Sequence, residues 1–371
     1  MPFPRPATAP DFLLSRATGS VRTQGSVEAF VDVDAAIDAL ESHRVPMVVG
    51  ALPFDLTKPA ALTVPEKITR GLGPLEPHAF YRHGGLVARV IDQDPDPFEH
   101  LRRVEAAIAT ITTSSLDKVV LARAVDVSFD TPVDPLLVAA RLIDLSAHRD
   151  GFAADLSPVG RPGAMLVGSS PEVLCKKLGD EISAFPLAGS APRHTDSATD
   201  FEVGQELLHS EKDLHEHAFV VDHLRTILAP LCSELDAPST PELVCTNEMW
   251  HLGTRIVGRL RKPEKTALEL ATLCHPTPAI CGTPTAAAQS LIHTAETDRG
   301  FYSGAVGWAD AEGNGEYMVA IRCAEVSGDG LLARAWAGGG IIAASNAADE
   351  LAETTAKLQT IMRALGIAHA L

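Results

Sequence analysis

The tightest constraint on the fold is a run of short apolar segments between residues 151 and 187: GFAADL, AMLVGSS, EVLCKKL and EISAFPL, with Gly179-Asp180 as a turn between the last two. Segments this short and this close together read as hairpins, which pair antiparallel. Further strands are expected in DKVVLARAVDVSF, WHLGTRIVGRL, GAVGW, EYMVAIRCAEV and LLARAWA. Helical periodicity appears in PFEHLRRVEAAIATI, with Phe98, Leu101, Val104 or Ile108, and Ile111 on one face, and in PLLVAARLIDL. One long helix is expected over 201–230, with short ones near 266–274 and 285–293. A last helix runs from about 347 to 365, with Asn346 as its cap. This order is not a Rossmann alternation. It predicts an α/β (α+β) chain of large antiparallel or mixed sheets with helices packed outside them. Residues 1–25, rich in Pro, Ala, Thr and Ser, read as an irregular lead-in.

Charge and cysteine use narrow the function. A formal charge of −17 argues against a nucleic-acid binder, which needs a basic stripe, and against attraction to an anionic membrane. An anionic small substrate would need a local cluster of cations or a metal. The six cysteines are scattered with no Cys-x-x-Cys pair, as expected for reduced thiols in the cytosol. The first residues hold no apolar core of signal-peptide length, and no run approaches a membrane span. The expectation is a soluble cytoplasmic protein.

Several familiar sites are missing. There is no GxxxxGK[ST], GxGxxG or GxSxG. His215 and His217 of HEH point about 200° apart on a helix, so they cannot form the i,i+4 pair that zinc needs. DQDPDPFEH lacks the glycine and the closing glutamate of a calcium loop and reads as a solvated loop. Two acidic helix faces remain. Asp213 and Glu216 are spaced i,i+3, as are Glu350 and Glu353, with Lys357 one turn further on. Alone, each is an ordinary solvated face. Together, two such helices meeting could hold a hard cation such as Mg²⁺.

The segments KVVLAR, SSPE, PLAGS, SEKDLHEH, HPTPAICGTP, EYMVAIRC, AGGGI and DELAETTAKL occur in an order that resembles the chorismate-utilising enzymes, which include the anthranilate synthase component I type. The closest likeness is to isochorismate synthases. It covers about residues 100–365 and is loose before about 95. The resemblance implies that residues 26–371 form a single catalytic domain of two stacked halves, dependent on Mg²⁺. It implies a monomer with no glutaminase subunit, and isochorismate made for siderophore or menaquinone synthesis. Glu216 and Glu353 match the metal-binding glutamates, with Asp213 and Glu350 as neighbours acting through water. Lys357 matches a lysine on the ring carboxylate, which also meets the backbone of Gly189 and Ser190. Arg322 and Tyr302 match residues on the enolpyruvyl carboxylate, and Gly339 and Gly340 would let the backbone approach it. Lys118 resembles the general base that activates water for attack at C2. Glu172 resembles the general acid that protonates the departing C4 hydroxyl. His275 would position a loop or substrate.

The same resemblance separates family members. Ala188 stands where aminodeoxychorismate synthases typically carry a nucleophilic lysine, and Lys118 where anthranilate synthases carry Gln. Salicylate synthases share Lys118 and Tyr302 but resemble this pattern less at Ile280, where they have a smaller hydroxylated residue. Isochorismate is therefore the expected product, with salicylate plus pyruvate as the alternative. An acid that must stay protonated near neutrality needs a partly apolar pocket. A lysine that serves as base needs burial or nearby cations, since an ordinary one, with pKa near ~10.4, is only about 0.1 % neutral at pH 7.4.

Overall fold

The computed structural model describes residues 5–6, 8–83 and 85–367. Its frame is a ladder of antiparallel pairs that can be followed strand by strand. One half runs from Cys232–Asp236 through Ile256–Leu260, Glu181–Phe185, Val173–Leu178, Gly315–Val319 and Ala305–Asp310 to Met47–Leu52 and Ala61–Gly71. The long strand Ser20–Phe30 then pairs with both Ala61–Gly71 and Phe12–Ser15, which carries the ladder into the second half. That half continues through Gly151–Asp155, Met165–Gly168, Cys323–Val326, Leu332–Ile342 and Lys118–Phe129 to the edge strand Ala88–Asp94. A separate three-stranded sheet joins Leu187–Pro192, Met249–Gly253 and Glu242–Cys245. The expectation of large antiparallel sheets with helices outside them holds.

Alternation along each strand sorts side chains into layers. Phe12 and Leu14 join Met47, Val49, Phe152, Leu166 and Met318 in an interior built mainly from sheet residues of both halves. Leu13, between them in sequence, faces the other way. It packs with Val125, Val127 and Val167 under the helices Pro135–Leu145 and Ala347–Ala364. The other half is covered on its outer face by the helices Val33–Glu41, Glu211–Leu228 and Ala267–Cys274. The layers are therefore helix, sheet, sheet, helix.

Two expectations are corrected. Residues 12–25 are not a lead-in, because FLLS is fully buried and supplies the strand that joins the two halves. The Pro- and Ala-rich composition around it hid a three-residue apolar run. Residues 1–4 and 7 lie outside the described residues. The helix expected over 201–230 is two helices, Ser197–His209 and Glu211–Leu228, broken at the extended Ser210. The Ser210 hydroxyl accepts from the Asp213 N–H and so caps the second helix. Asn346 caps the last helix as expected, and Asp96 of DQDPDPFEH caps Pro97–Thr113. Among the described residues no helix is long and apolar enough to cross a membrane.

Candidate active site

The site forms where the strands Lys118–Phe129 and Leu332–Ile342, the helices Glu211–Leu228 and Ala347–Ala364, and the small sheet converge. One cavity there is lined by Glu172, Gly189, Ser190, Glu216, Ile280, Tyr302, Arg322, Gly340, Glu353 and Lys357, all singled out in the sequence. His251 and Trp336 line it too. Lys118 adjoins it through Glu216.

Lys118 is completely buried at the start of its strand, as expected, and its Nζ lies 2.9 Å from Glu216 Oε1. Gly340 makes room for this pair. A Cβ there would lie 2.2 Å from Glu216 Oε1 and 2.9 Å from Lys118 Cε. Gly189 has φ +77°, and a Cβ on it would meet Asp213 Cβ at 2.9 Å, so the small sheet can lie directly against the helix Glu211–Leu228.

Glu172 is 3 % exposed, in the segment SSPE. Burial pushes its carboxyl up to about 8, against the Leu187 backbone hydrogen bond and the charges of Lys118 and Lys357, which pull it down. It is therefore a carboxylic acid at neutral pH. Glu353 behaves in the opposite way. Burial raises its pKa, but the charge and hydrogen bond of Lys357 and the Ser190 hydroxyl, 3.0 Å from its Oε1, hold it below the usual carboxylate range. Lys357 also donates to Gly338 O at 3.0 Å.

The remaining acids stand one step back. Glu350 is 2 % exposed, and its Oε1 accepts from Lys212 Nζ at 3.1 Å and from Ser345 Oγ at 2.8 Å. Burial and the nearby Glu353 charge raise its pKa, and its Oε2 has no partner among the described residues. Asp213 accepts from Ser210 Oγ at 2.5 Å, with its pKa raised by burial. Among the described residues no three Asp, Glu, His or Cys side chains converge as a ready metal cluster. Instead Lys118, Lys212 and Lys357 each hold one glutamate. The donors are nonetheless all oxygens, two of them face one cavity, and Glu350 Oε2 is orphaned, which fits a hard cation such as Mg²⁺.

Arg322 lines the cavity in a left-handed backbone conformation, φ 52°, the kind of strain that surrounding structure must hold in place. Tyr302 stacks on Trp336 with centroids 5.7 Å apart. Gly339, an expected substrate contact, is not at the cavity, and of the two roles expected of His275 the structure shows the positioning of a loop. Gly339 faces Glu350, since strand alternation turns it away from the side shared by Gly338 and Gly340. His275 is buried, with Nε2 2.9 Å from Phe54 O, so it fixes the loop before Ile280 and does not touch the cavity. Of the HEH histidines, His217 is held between Ala188 O and Thr254 Oγ1 and His215 packs on Phe219.

Sequence reading missed three residues. His251 is a buried polar residue within a short strand, which is the signal that could have found it. Burial, Arg322 and Lys357 hold it well below the usual histidine range, so its ring is neutral, with Nε2 unpartnered among the described residues. Glu296 and Arg299 form a buried pair in the gap that Gly282–Thr283 and Ala88–Asp94 leave along the strand Lys118–Phe129. Glu296 accepts from Ala122 N at 2.7 Å, and Arg299 donates to Val120 O at 2.7 Å and Ile280 O at 2.8 Å. They tie the strand of Lys118 to the loop of Ile280.

Known proteins share this framework. MenF of Mycobacterium tuberculosis is 43 % identical over 96 % of each chain. The isochorismate synthase DhbC of Bacillus subtilis is 43 % identical over 87 % of this chain and 82 % of its own. The crystal structure of DhbC from Bacillus anthracis superposes with a TM-score of 0.88 at 35 % identity, covering 97 % of both chains. The family described as chorismate binding enzyme matches residues 82–366, and the chain belongs to it.

Proposed function

We propose that this protein is an isochorismate synthase, which converts chorismate to isochorismate and releases it for siderophore or menaquinone synthesis. The observation that carries the reading is a buried lysine and a protonated buried carboxylic acid serving one cavity that also holds Arg322 and Lys357. The likeness to relatives named isochorismate synthase supports it.

Chorismate brings two carboxylates. Arg322, whose planar fork suits a carboxylate, takes the enolpyruvyl group together with Tyr302. Lys357, Ser190 and the Gly189 backbone take the ring carboxylate. Glu216 and Glu353 would hold Mg²⁺, with Asp213 and Glu350 behind them. When bound, the ion supplies the positive charge that lets a dianion lie against acidic side chains. Lys118 accepts a proton from water as the water oxygen bonds to C2. The ring double bonds shift, the C4–O bond breaks, and the hydroxyl leaves as water with the proton of Glu172. Return of a proton from Lys118 to Glu172 restores both groups. Salicylate would need a further step, pericyclic loss of pyruvate, in a pocket shaped for it. Here the aliphatic Ile280 lines the cavity instead. The chain acts alone, as a monomer without a glutaminase subunit.

The test is product analysis by liquid chromatography after incubation with chorismate, with Mg²⁺ or with a chelator. Isochorismate should form only with Mg²⁺ and be lost in Lys118→Ala. An enzyme-dependent salicylate peak would assign the alternative activity, and unconsumed chorismate under every condition would end the enzyme reading.

A further inference from the structure

Outside the cavity, one buried cation is unaccounted for. Arg123 lies on the strand that begins with Lys118 and is 2 % exposed. Its Nε and Nη1 have no hydrogen-bond partner among the described residues, and no acidic side chain pairs with it. A guanidinium stays charged at any ordinary pH, and leaving such a charge buried and unpaired is costly. Three further buried atoms on the neighbouring elements are also unsatisfied: His100 Nδ1, Gln93 Oε1 and Nη1 of Arg103, whose Nε is paired with Glu99 at 3.1 Å. Their elements pack together here, since the edge strand carrying Gln93 pairs with the strand of Arg123 and leads into the helix carrying His100 and Arg103. The charges of Arg123 and Arg103 also reach His100 and help keep its ring neutral, after burial itself.

These groups offer mainly donors. Arg123 and Arg103 can only donate, and a neutral His100 can present N–H at Nδ1. Gln93 joins them if its amide is turned, an assignment set by hydrogen bonding alone. Arg123 and Arg103 line a small cavity at the sheet edge together with Asp94 and Glu296. Neither acid is free to neutralise Arg123. Asp94 is bound by Arg334 and Thr297, and Glu296 by Arg299 and the Ala122 N–H. Both would repel the outer oxygens of a phosphate- or sulfate-sized anion. A single-atom anion needs only the donors.

We propose that Arg123, with His100 and Arg103, binds a halide ion beneath the helix Pro97–Thr113, and that this ion supplies the missing countercharge for the strand that carries Lys118. The site is independent of chorismate and of any divalent cation.

Crystals soaked in sodium bromide and measured at the bromine edge should show an anomalous peak within hydrogen-bonding reach of Arg123. In solution, chloride or bromide should raise the melting temperature by about 2 °C or more over gluconate at equal ionic strength. Arg123→Met, which keeps the chain length and removes the charge, should abolish that difference. Solvation of Arg123 by water alone predicts no bromine peak and a melting temperature indifferent to the anion, and either result would overturn the proposal. Should Arg123→Met fail to fold, the bromine peak in the unaltered protein decides the matter.

Discussion

At the scale of single residues, the proposed reaction puts the chemistry on Glu172 and Lys118, and their environments make opposite demands. Glu172 works only while protonated. With its carboxyl pushed up to about 8, turnover should fall as pH rises through that value. A kcat profile that stays flat to pH 9.5 would remove Glu172 from the role. Glu172→Gln should lower kcat by roughly 10²- to 10⁴-fold while leaving the melting temperature near that of the parent. Gly340→Ala tests the close packing around the lysine. The added methyl would overlap Glu216 Oε1 and displace the Lys118 pair, lowering kcat by roughly 10²-fold, as steady-state kinetics would show. The resemblance of its motifs to those of the chorismate-utilising enzymes made most of this site legible in the sequence. Glu216, Glu353 and Lys357 could be placed on helix faces by counting, and Lys118 could be placed in an apolar strand. Counting could not reach His251 or the Lys212–Glu350 pair. Their partners are 138 residues apart in the case of Lys212, and only tertiary packing brings them together.

At the scale of elements, one edge of the strand Lys118–Phe129 pairs with Gly282–Thr283 at its start and with Ala88–Asp94 at its end, and the gap between them is closed by a buried ion pair. Arg299→Met would leave Glu296 buried without its partner and cost about 3–5 kcal/mol. Adding Glu296→Gln should recover part of that loss. Denaturant unfolding of the two single variants and the double variant measures the coupling. Strictly additive losses would mean the pair is not a unit. Periodicity found the helices and strands well, because one apolar face repeats along each. It failed at Ser210, where a single extended residue divides two helices whose patterns run on without a break. A capping serine inside a polar stretch leaves too small a mark.

At the scale of the whole molecule, the two halves are joined through Phe12–Ser15 and Ser20–Phe30, and the catalytic cavity depends on that join holding its sheets in place. Leu13→Ala should therefore destabilise the protein by about 2–5 kcal/mol, measured by chemical denaturation, although Leu13 lies in a stretch whose composition reads as irregular. A loss near zero would return that segment to a loose lead-in. The layered sheet architecture could be anticipated from the hairpins, but not which strands meet, since pairings such as Phe12 with Ala154 span most of a half. The proposed function requires that this architecture present an activated water to C2 of chorismate. Turnover in ¹⁸O-labelled water, with the isochorismate analysed by mass spectrometry, tests it most directly. Attack by water should give product two mass units heavier, with the label in the C2 hydroxyl. Unlabelled isochorismate would mean that the hydroxyl moves within the substrate, and would contradict the roles given to Lys118 and Glu172.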